Sequence, residues 1–169
     1  MDNKLDKYIK MFKENRPEPW NNIPDIDLYM DQILSYMTRQ HLGLEVNENL
    51  TSSMVNNYTK QGLMPRAKGK RYNREHIAYL TAICLLKQVV SVSDTKTLLD
   101  YQIKDSEIRR FYEKYTQILD EELINVDNLI RTTTSKKSIA DLALKLAISS
   151  YAHKLACECL IDSLKEEEV

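Results

Sequence analysis

The feature that most constrains the fold of this chain is the absence of glycine and proline from its last 100 residues, Lys70 to Val169. A β-rich domain of that length would need glycine-containing turns, whereas helices joined by short polar turns need far fewer. Hydrophobic residues make up 43% of the 169 residues, so a core can form. The sequence therefore predicts an all-α protein with at most one small β-hairpin.

The cysteines and the N-terminal sequence indicate in which cellular compartment the protein is expected. The three cysteines, Cys84, Cys157 and Cys159, are an odd number in helical patterns, which does not fit a disulfide framework. The first residues are charged and lack an apolar signal core. The longest apolar run, around residues 83–86, is too short to cross a bilayer. We expect a soluble, cytoplasmic protein with no membrane partner.

Apolar spacing and capping residues divide the chain into helical segments. Residues 2–13 read as a short amphipathic helix, and 14–24 as a proline-rich connector anchored by Trp20. Asp25 is expected to cap a helix reaching about Gln40, followed by a polar loop over 41–49. The inward side chains of that helix are predicted to be Ile26, Tyr29, Met30, Ile33, Leu34 and Met37. Further on, we predict a helix from Thr51 or Ser52 to Gly62, a hairpin over 63–72, helices capped by Asn73 and Ser93, and helices over 105–131 and 137–165.

Charge is distributed unevenly along the chain. Residues 51–90 carry seven basic side chains and one acidic one, net +6, while the flanking segments 1–50 and 91–169 are net −3 and −4. A basic block between two acidic ones indicates one surface that meets an anion. The alternative is that forty residues are basic by chance.

The most informative part of the basic block is the predicted helix 52–61 and the turn after it. Four side chains share one face of the helix at spacings of three and four, and they include no acid: Ser53, Asn56, Asn57 and Lys60. Such a helix fits the major groove, where an asparagine can both donate and accept at an adenine edge. The turn adds cations suited to phosphate: Arg66, Lys68, Lys70 and Arg71. These residues predict binding of double-stranded DNA; the alternative is an ordinary solvated helix and loop.

The run MVNNYTKQGLMP, the basic turn and RYNREHIAYLTAICLLK resemble the winged-helix unit of the MerR regulators. The matching positions are Tyr58, Gly62, Leu63, Pro65 and Tyr72. The resemblance implies a winged helix-turn-helix with a small β-hairpin wing. It also implies that Tyr58 and the wing residues, with Tyr72 at the end of the wing, contact the DNA backbone.

Two departures from the MerR pattern bear on those contacts. Asn56 stands where MerR proteins usually carry an arginine, so it either reads bases or marks the absence of a backbone contact. About ten residues separate Gln40 from Thr51, where MerR proteins have a short turn. The wider pattern, including PDIDLYMDQILSYMTRQ, is similar to the bacterial family called domain of unknown function 1836, over at least residues 17–100.

Catalytic, metal and cofactor motifs are not found in the sequence. Three isolated glycines cannot build a phosphate-binding loop, and no nucleophile–base pair is suggested by spacing. His153 and Cys157 lie one helical turn apart and could face a metal or an oxidant, but two ligands make a weak site, and a core or interface role is the alternative. We expect no enzyme activity, no cofactor and no metal.

The last predicted helix is apolar on two flanks, one comprising Ile139, Leu142, Leu146, His153, Cys157, Leu160 and Leu164, the other Leu144, Ile148, Tyr151 and Leu155. A helix with two apolar flanks is either central in a monomer or shared between two copies. MerR-type proteins pair through a C-terminal helix, which favours a homodimer through the C-terminal helices.

The chain is thus divided into an N-terminal helix and connector (1–24), a winged-helix domain (25–101) and a C-terminal helical region (102–169). The predicted function is that of a DNA-binding transcriptional regulator. The alternative is a protein-interaction or assembly module whose winged helix no longer binds DNA.

Overall fold

The computed structural model describes residues 3–14, 16–40, 50–104 and 107–166. The described chain is mostly helical, as predicted, and its extended pairing is limited to two isolated bridges. The described residues form seven α-helices: α1 (Asn3–Glu14), α2 (Met30–Arg39), α3 (Ser52–Lys60), α4 (Arg74–Leu86), α5 (Val92–Ile103), α6 (Ile108–Arg131) and α7 (Lys136–Glu166). None of these helices is long and apolar enough to span a membrane.

The chain divides into two compact units, one formed by residues 15–117 and the other by residues 1–14 with 118–169. The first unit is larger than the domain of residues 25–101 that the sequence suggested. The reason is visible in two contacts at its ends. The hydroxyl of Tyr112 on α6 donates to the carbonyl oxygen of Glu18 at 2.7 Å, and its ring lies 5.9 Å from that of Trp20. Trp20 therefore anchors the connector to the core, as expected.

Helix α2 begins later than the sequence predicts, because Tyr29 and not Asp25 is its N-cap residue. The Asp25 carboxylate instead lies 3.7 Å from the Arg74 guanidinium. Leu28 is extended, and its N–H and C=O both pair with Tyr72 at 2.8 Å. This pairing with a residue distant in sequence overrides the local helical spacing. The predicted inward positions of Ile26 and Tyr29 are therefore wrong: their side chains are 66% and 49% exposed.

Most of the remaining helix boundaries follow local capping chemistry. Thr51, one of the two caps predicted for α3, is its N-cap residue, and Asn73 caps α4 as predicted. The cap of α5 is Ser91, not Ser93: its hydroxyl accepts from the Asp94 N–H at 3.0 Å and donates to the Asp94 carboxylate at 2.7 Å. This reciprocal pair three residues apart is available to Ser91 only, which explains the earlier start. The predicted loop over 41–49 lies outside the described residues.

The second unit contains α1, α7 and the later part of α6. Its most buried apolar side chains are Ile9 on α1 and Ile161 on α7, which are 6% and 1% exposed. The two apolar flanks of α7 differ. On one flank, Leu142, Leu146, Cys157 and Leu164 are half-buried, whereas Ile139, His153 and Leu160 are exposed. The other flank is exposed along its whole length: Leu144, Ile148, Tyr151 and Leu155.

Candidate nucleic-acid interface

Helix α3 is fixed at both ends by backbone hydrogen bonding. At its start, the Thr51 hydroxyl accepts from the Met54 N–H at 3.2 Å. At its end, Gly62 adopts a left-handed conformation (φ 75°). The N–H groups of Gly62 and Leu63 then bond to the carbonyls of Thr59 and Tyr58, at 3.2 and 2.9 Å, which is the Schellman arrangement. A short helix with both ends satisfied holds its side chains in a fixed register.

One side of α3 is buried and the other is polar. Val55 and Tyr58 are 0% and 3% exposed and pack into the core of the 15–117 unit. The opposite side chains are all exposed, as their spacing predicted: Ser53, Asn56, Asn57 and Lys60. No acidic residue occurs in α3. This surface offers amide, hydroxyl and ammonium groups without a competing carboxylate from the same helix.

The two asparagines of that surface differ in what they can offer to a ligand. The Asn57 amide oxygen accepts a hydrogen bond from the Gln61 side chain at 3.2 Å, which occupies part of its acceptor capacity. Asn56 makes no side-chain hydrogen bond to any described residue. Bidentate contact with adenine needs one donor and one acceptor from the same amide. Asn56 is therefore the better placed of the two for base recognition.

The basic turn is tighter than an ordinary loop. Gly69 and Lys70 both have positive φ, at 58° and 62°, and the Arg71 N–H bonds to the Lys68 carbonyl at 3.0 Å. Two consecutive residues with positive φ define a type I′ turn, which suits a two-residue hairpin connection. A Cβ on Gly69 would meet nothing within 4 Å, so backbone conformation and not crowding favours glycine there.

The C-terminal end of the turn, at Arg71 and Tyr72, pairs with the segment that precedes α2. The Leu28–Tyr72 bridge places Tyr29 beside Arg71, whose Nη2 donates to the Tyr29 hydroxyl at 3.0 Å. The guanidinium carbon of Arg71 also lies 5.1 Å from the centroid of the Tyr29 ring. Tyr29 thus orients a candidate phosphate-binding cation. Sequence reasoning placed Tyr29 in the core, and no local signal links residues 42 positions apart.

The two tyrosines expected at the DNA backbone are core residues in this structure. Tyr58 is 3% exposed and Tyr72 is 6% exposed, and both belong to the same hydrophobic cluster. Burial raises the pKa of Tyr72. Its ring meets the imidazole of His76 edge-on at 5.4 Å. One core cluster therefore anchors both α3, through Tyr58, and the end of the basic turn, through Tyr72.

His76 takes part in the N-terminal cap of α4, which begins directly after the basic turn. Its Nδ1 accepts from the Asn73 N–H at 3.1 Å, while the Asn73 side chain accepts from the His76 N–H at 3.3 Å. Burial lowers the pKa of His76, while the nearby Arg66 backbone and the carboxylates of Glu75 and Asp27 act in the opposite direction. At neutral pH, the buried imidazole of His76 is therefore uncharged.

Six cations lie between Lys60 and Arg74, and the structure separates them by role. Arg74 is committed to the fold, because it pairs with Asp25 and lies 5.7 Å from the Trp20 ring centroid. Arg71 is held by Tyr29. The other four are exposed, and no acid among the described residues comes within ion-pairing distance of them: Lys60, Arg66, Lys68 and Lys70.

Among the described residues, no three His, Cys, Asp or Glu side chains lie close enough together to hold a metal ion. The three cysteines are unpaired thiols. Burial raises the pKa of Cys84 to about 11, so this thiol stays protonated at neutral pH. Cys157 is half-buried and His153 is exposed.

Together the fold and the site define a helical protein in which one of two compact units carries the acid-free helix α3 and an exposed basic turn, both attached to the same core cluster. The chain belongs to the family described as Domain of unknown function (DUF1836), which matches residues 18–115, more than half of the chain. The match covers nearly the same residues as the compact unit 15–117. No curated protein and no solved structure matches the chain.

Proposed function

We propose that this protein is a DNA-binding transcriptional regulator of MerR-like winged-helix type. The observation that carries the proposal is the set of four exposed cations without an acidic neighbour among the described residues, in the segment that begins with the acid-free helix α3. Lysine and arginine that are not engaged by the protein's own carboxylates are available to phosphate. A surface that served only solubility would be expected to mix charges of both signs.

The order of elements supports the winged-helix interpretation. Helices α2 and α3 pack against each other, α3 is followed by the type I′ turn, and α4 begins directly after that turn. In the proposal, the turn and its two bridges form a short wing. Helix α3 enters the major groove with Asn56 toward the base edges, and Arg66, Lys68, Lys70 and Arg71 contact the flanking phosphates.

The test is a salt titration of duplex binding by fluorescence anisotropy. The variant combines Lys68→Ala, Lys70→Ala and Arg71→Ala. Every phosphate contact that these substitutions remove should reduce the slope of log K against log salt by about 0.9. The triple variant should therefore bind any duplex more weakly than the wild type does, with a slope reduced by about 2–3.

A matched control removes the same charge elsewhere in the same unit: Lys104→Ala, Arg110→Ala and Lys114→Ala. These side chains are exposed on α6 or just after α5, outside the candidate site. If the wing and control variants lose the same affinity and slope, binding comes from general charge and not from the turn. If the wild type does not bind duplex DNA even at low salt, the better account is an interaction or assembly module whose winged helix no longer binds DNA.

A further inference from the structure

We infer that Tyr29 and Arg71 together form a binding site for one phosphate of the DNA backbone, in which the Tyr29 hydroxyl is a second donor beside the Arg71 guanidinium. The inference rests on the proposed function, because the ligand is a DNA duplex. It adds a contact from outside both α3 and the basic turn. Tyr29 precedes α2 and lies 42 positions from Arg71, so the site exists only in the folded chain.

The bridge between Leu28 and Tyr72 brings the two side chains of the site to one face. Each of these bridge residues donates its N–H to the carbonyl oxygen of the other at 2.8 Å, which makes them a hydrogen-bonded antiparallel pair. Successive side chains of an extended segment point to opposite faces. Leu28 and Tyr72 point into the core, 7% and 6% exposed, and the next residues along each segment, Tyr29 and Arg71, are therefore exposed neighbours on the outer face.

The Tyr29 hydroxyl keeps an unused donor. A phenol hydroxyl has one O–H and two acceptor lone pairs, and Arg71 Nη2 donates to one of the lone pairs at 3.0 Å. The hydroxyl proton makes no hydrogen bond to any described residue. A cation that donates to the hydroxyl oxygen also polarises the O–H bond, so the hydroxyl becomes a stronger donor. An anion is the acceptor that gains most from such a group.

Arg71 also keeps donors of its own. A guanidinium carries five N–H groups, and the structure directs one of them to the Tyr29 hydroxyl. Among the described residues, no carboxylate lies within ion-pairing distance of Arg71, although Asp27 and Asp31 stand two positions before and after Tyr29. The guanidinium is held 5.1 Å from the centroid of the Tyr29 ring. Its charge is therefore held in place without being neutralised.

The geometry suits a single phosphate. The Tyr29 hydroxyl oxygen and Arg71 Nη2 are 3.0 Å apart, so two oxygens of one phosphate can accept from the hydroxyl and from another N–H of the guanidinium. Because the pair is already formed, little side-chain freedom is lost on binding. The neighbouring Lys68 and Lys70 are exposed on the same turn, which favours a polyanion such as DNA over an isolated carboxylate.

The first test compares Tyr29→Phe with the wild type by fluorescence anisotropy on a duplex of mixed sequence at several salt concentrations. Phenylalanine keeps the ring beside Arg71 and removes only the hydroxyl, so circular dichroism should show an unchanged fold. Binding should be about three- to tenfold weaker. The salt slope should stay that of the wild type, because a neutral hydroxyl releases no counterion. The control is Tyr151→Phe, whose side chain is 70% exposed on α7, and it should bind as the wild type does.

The second test separates contact by Tyr29 from orientation of Arg71. Arg71→Ala should weaken binding and reduce the salt slope by about 0.9, and adding Tyr29→Phe should weaken binding by at least about a further twofold. A Tyr29→Phe protein that binds as the wild type does would overturn the inference and leave the proposed function standing. A double variant that binds as well as Arg71→Ala would do the same. A wild type that does not bind the duplex would overturn both.

Discussion

The two units of this molecule present opposite kinds of surface. In residues 15–117, helix α3 and the basic turn offer polar and cationic side chains held by a core that includes Tyr58 and Tyr72. In the other unit, α7 offers a continuous apolar stripe. The first surface is suited to a polyanion and the second to another apolar surface. Salt distinguishes them, since added salt screens charge–charge attraction but does not weaken apolar contact.

The same residue type has different consequences in the two regions. Leucine and histidine each occur buried in the first unit and exposed on α7. The same substitution can therefore be made in both regions, so that any difference in effect comes from the surroundings of the side chain. If the account is right, each pair should show a large effect in the first unit and a small one on α7.

The largest expected effect is on stability. Leu80 on α4 is fully buried in the core cluster, and Leu80→Ala should lower the free energy of unfolding by about 2–5 kcal/mol. Leu144→Ala on the exposed flank of α7 should change it by less than about 0.5 kcal/mol. Urea denaturation measures both. Equal losses would mean that α7 is buried within the monomer and that the comparison fails.

A smaller effect is expected from histidine protonation. Because the folded-state pKa of His76 is lowered below its ordinary value of 6.5, the unfolded chain binds the proton more readily than the folded chain does. The stability contribution from neutral His76 is therefore complete above about pH 6.5 and is lost as the pH falls from there toward the lowered pKa.

His76→Gln should flatten the loss of stability below about pH 6.5, because a glutamine can accept the Asn73 N–H without titrating. The control is His153→Gln, whose imidazole is exposed on α7, and it should keep the wild-type pH dependence. Unfolding by urea at several pH values provides the comparison. A His76→Gln protein with unchanged pH dependence would show that this imidazole is not what responds to acid.

Local chemistry made much of this fold predictable. The caps Thr51 and Asn73, the left-handed Gly62 and the bounds of α7 depend on neighbours within a few residues, and the sequence shows those neighbours. The exposed face of α3 followed from helical spacing alone. The two flanks of α7 were likewise visible as a pattern, but the pattern could not tell which flank its own unit partly covers.

The rest depends on pairing between distant segments. The Leu28–Tyr72 bridge moved the start of α2, exposed Ile26 and brought Tyr29 to Arg71, and none of these outcomes is encoded in local periodicity. The same bridge gives the basic turn its fixed base. The preorganisation of the candidate site is therefore a tertiary property, while its chemical composition is a property of sequence.

The measurement that tests the central claim most directly is selection from a random duplex pool with the wild type, Asn56→Ala and Asn57→Ala. We predict that the wild type enriches a defined motif. Asn56→Ala should lose discrimination at one position, by about 1–3 kcal/mol, while non-specific binding through the basic turn persists. Asn57→Ala should lose less, since Gln61 already engages its amide oxygen. A wild type that enriches no motif, or two variants that both enrich the wild-type motif equally well, would contradict base recognition by α3.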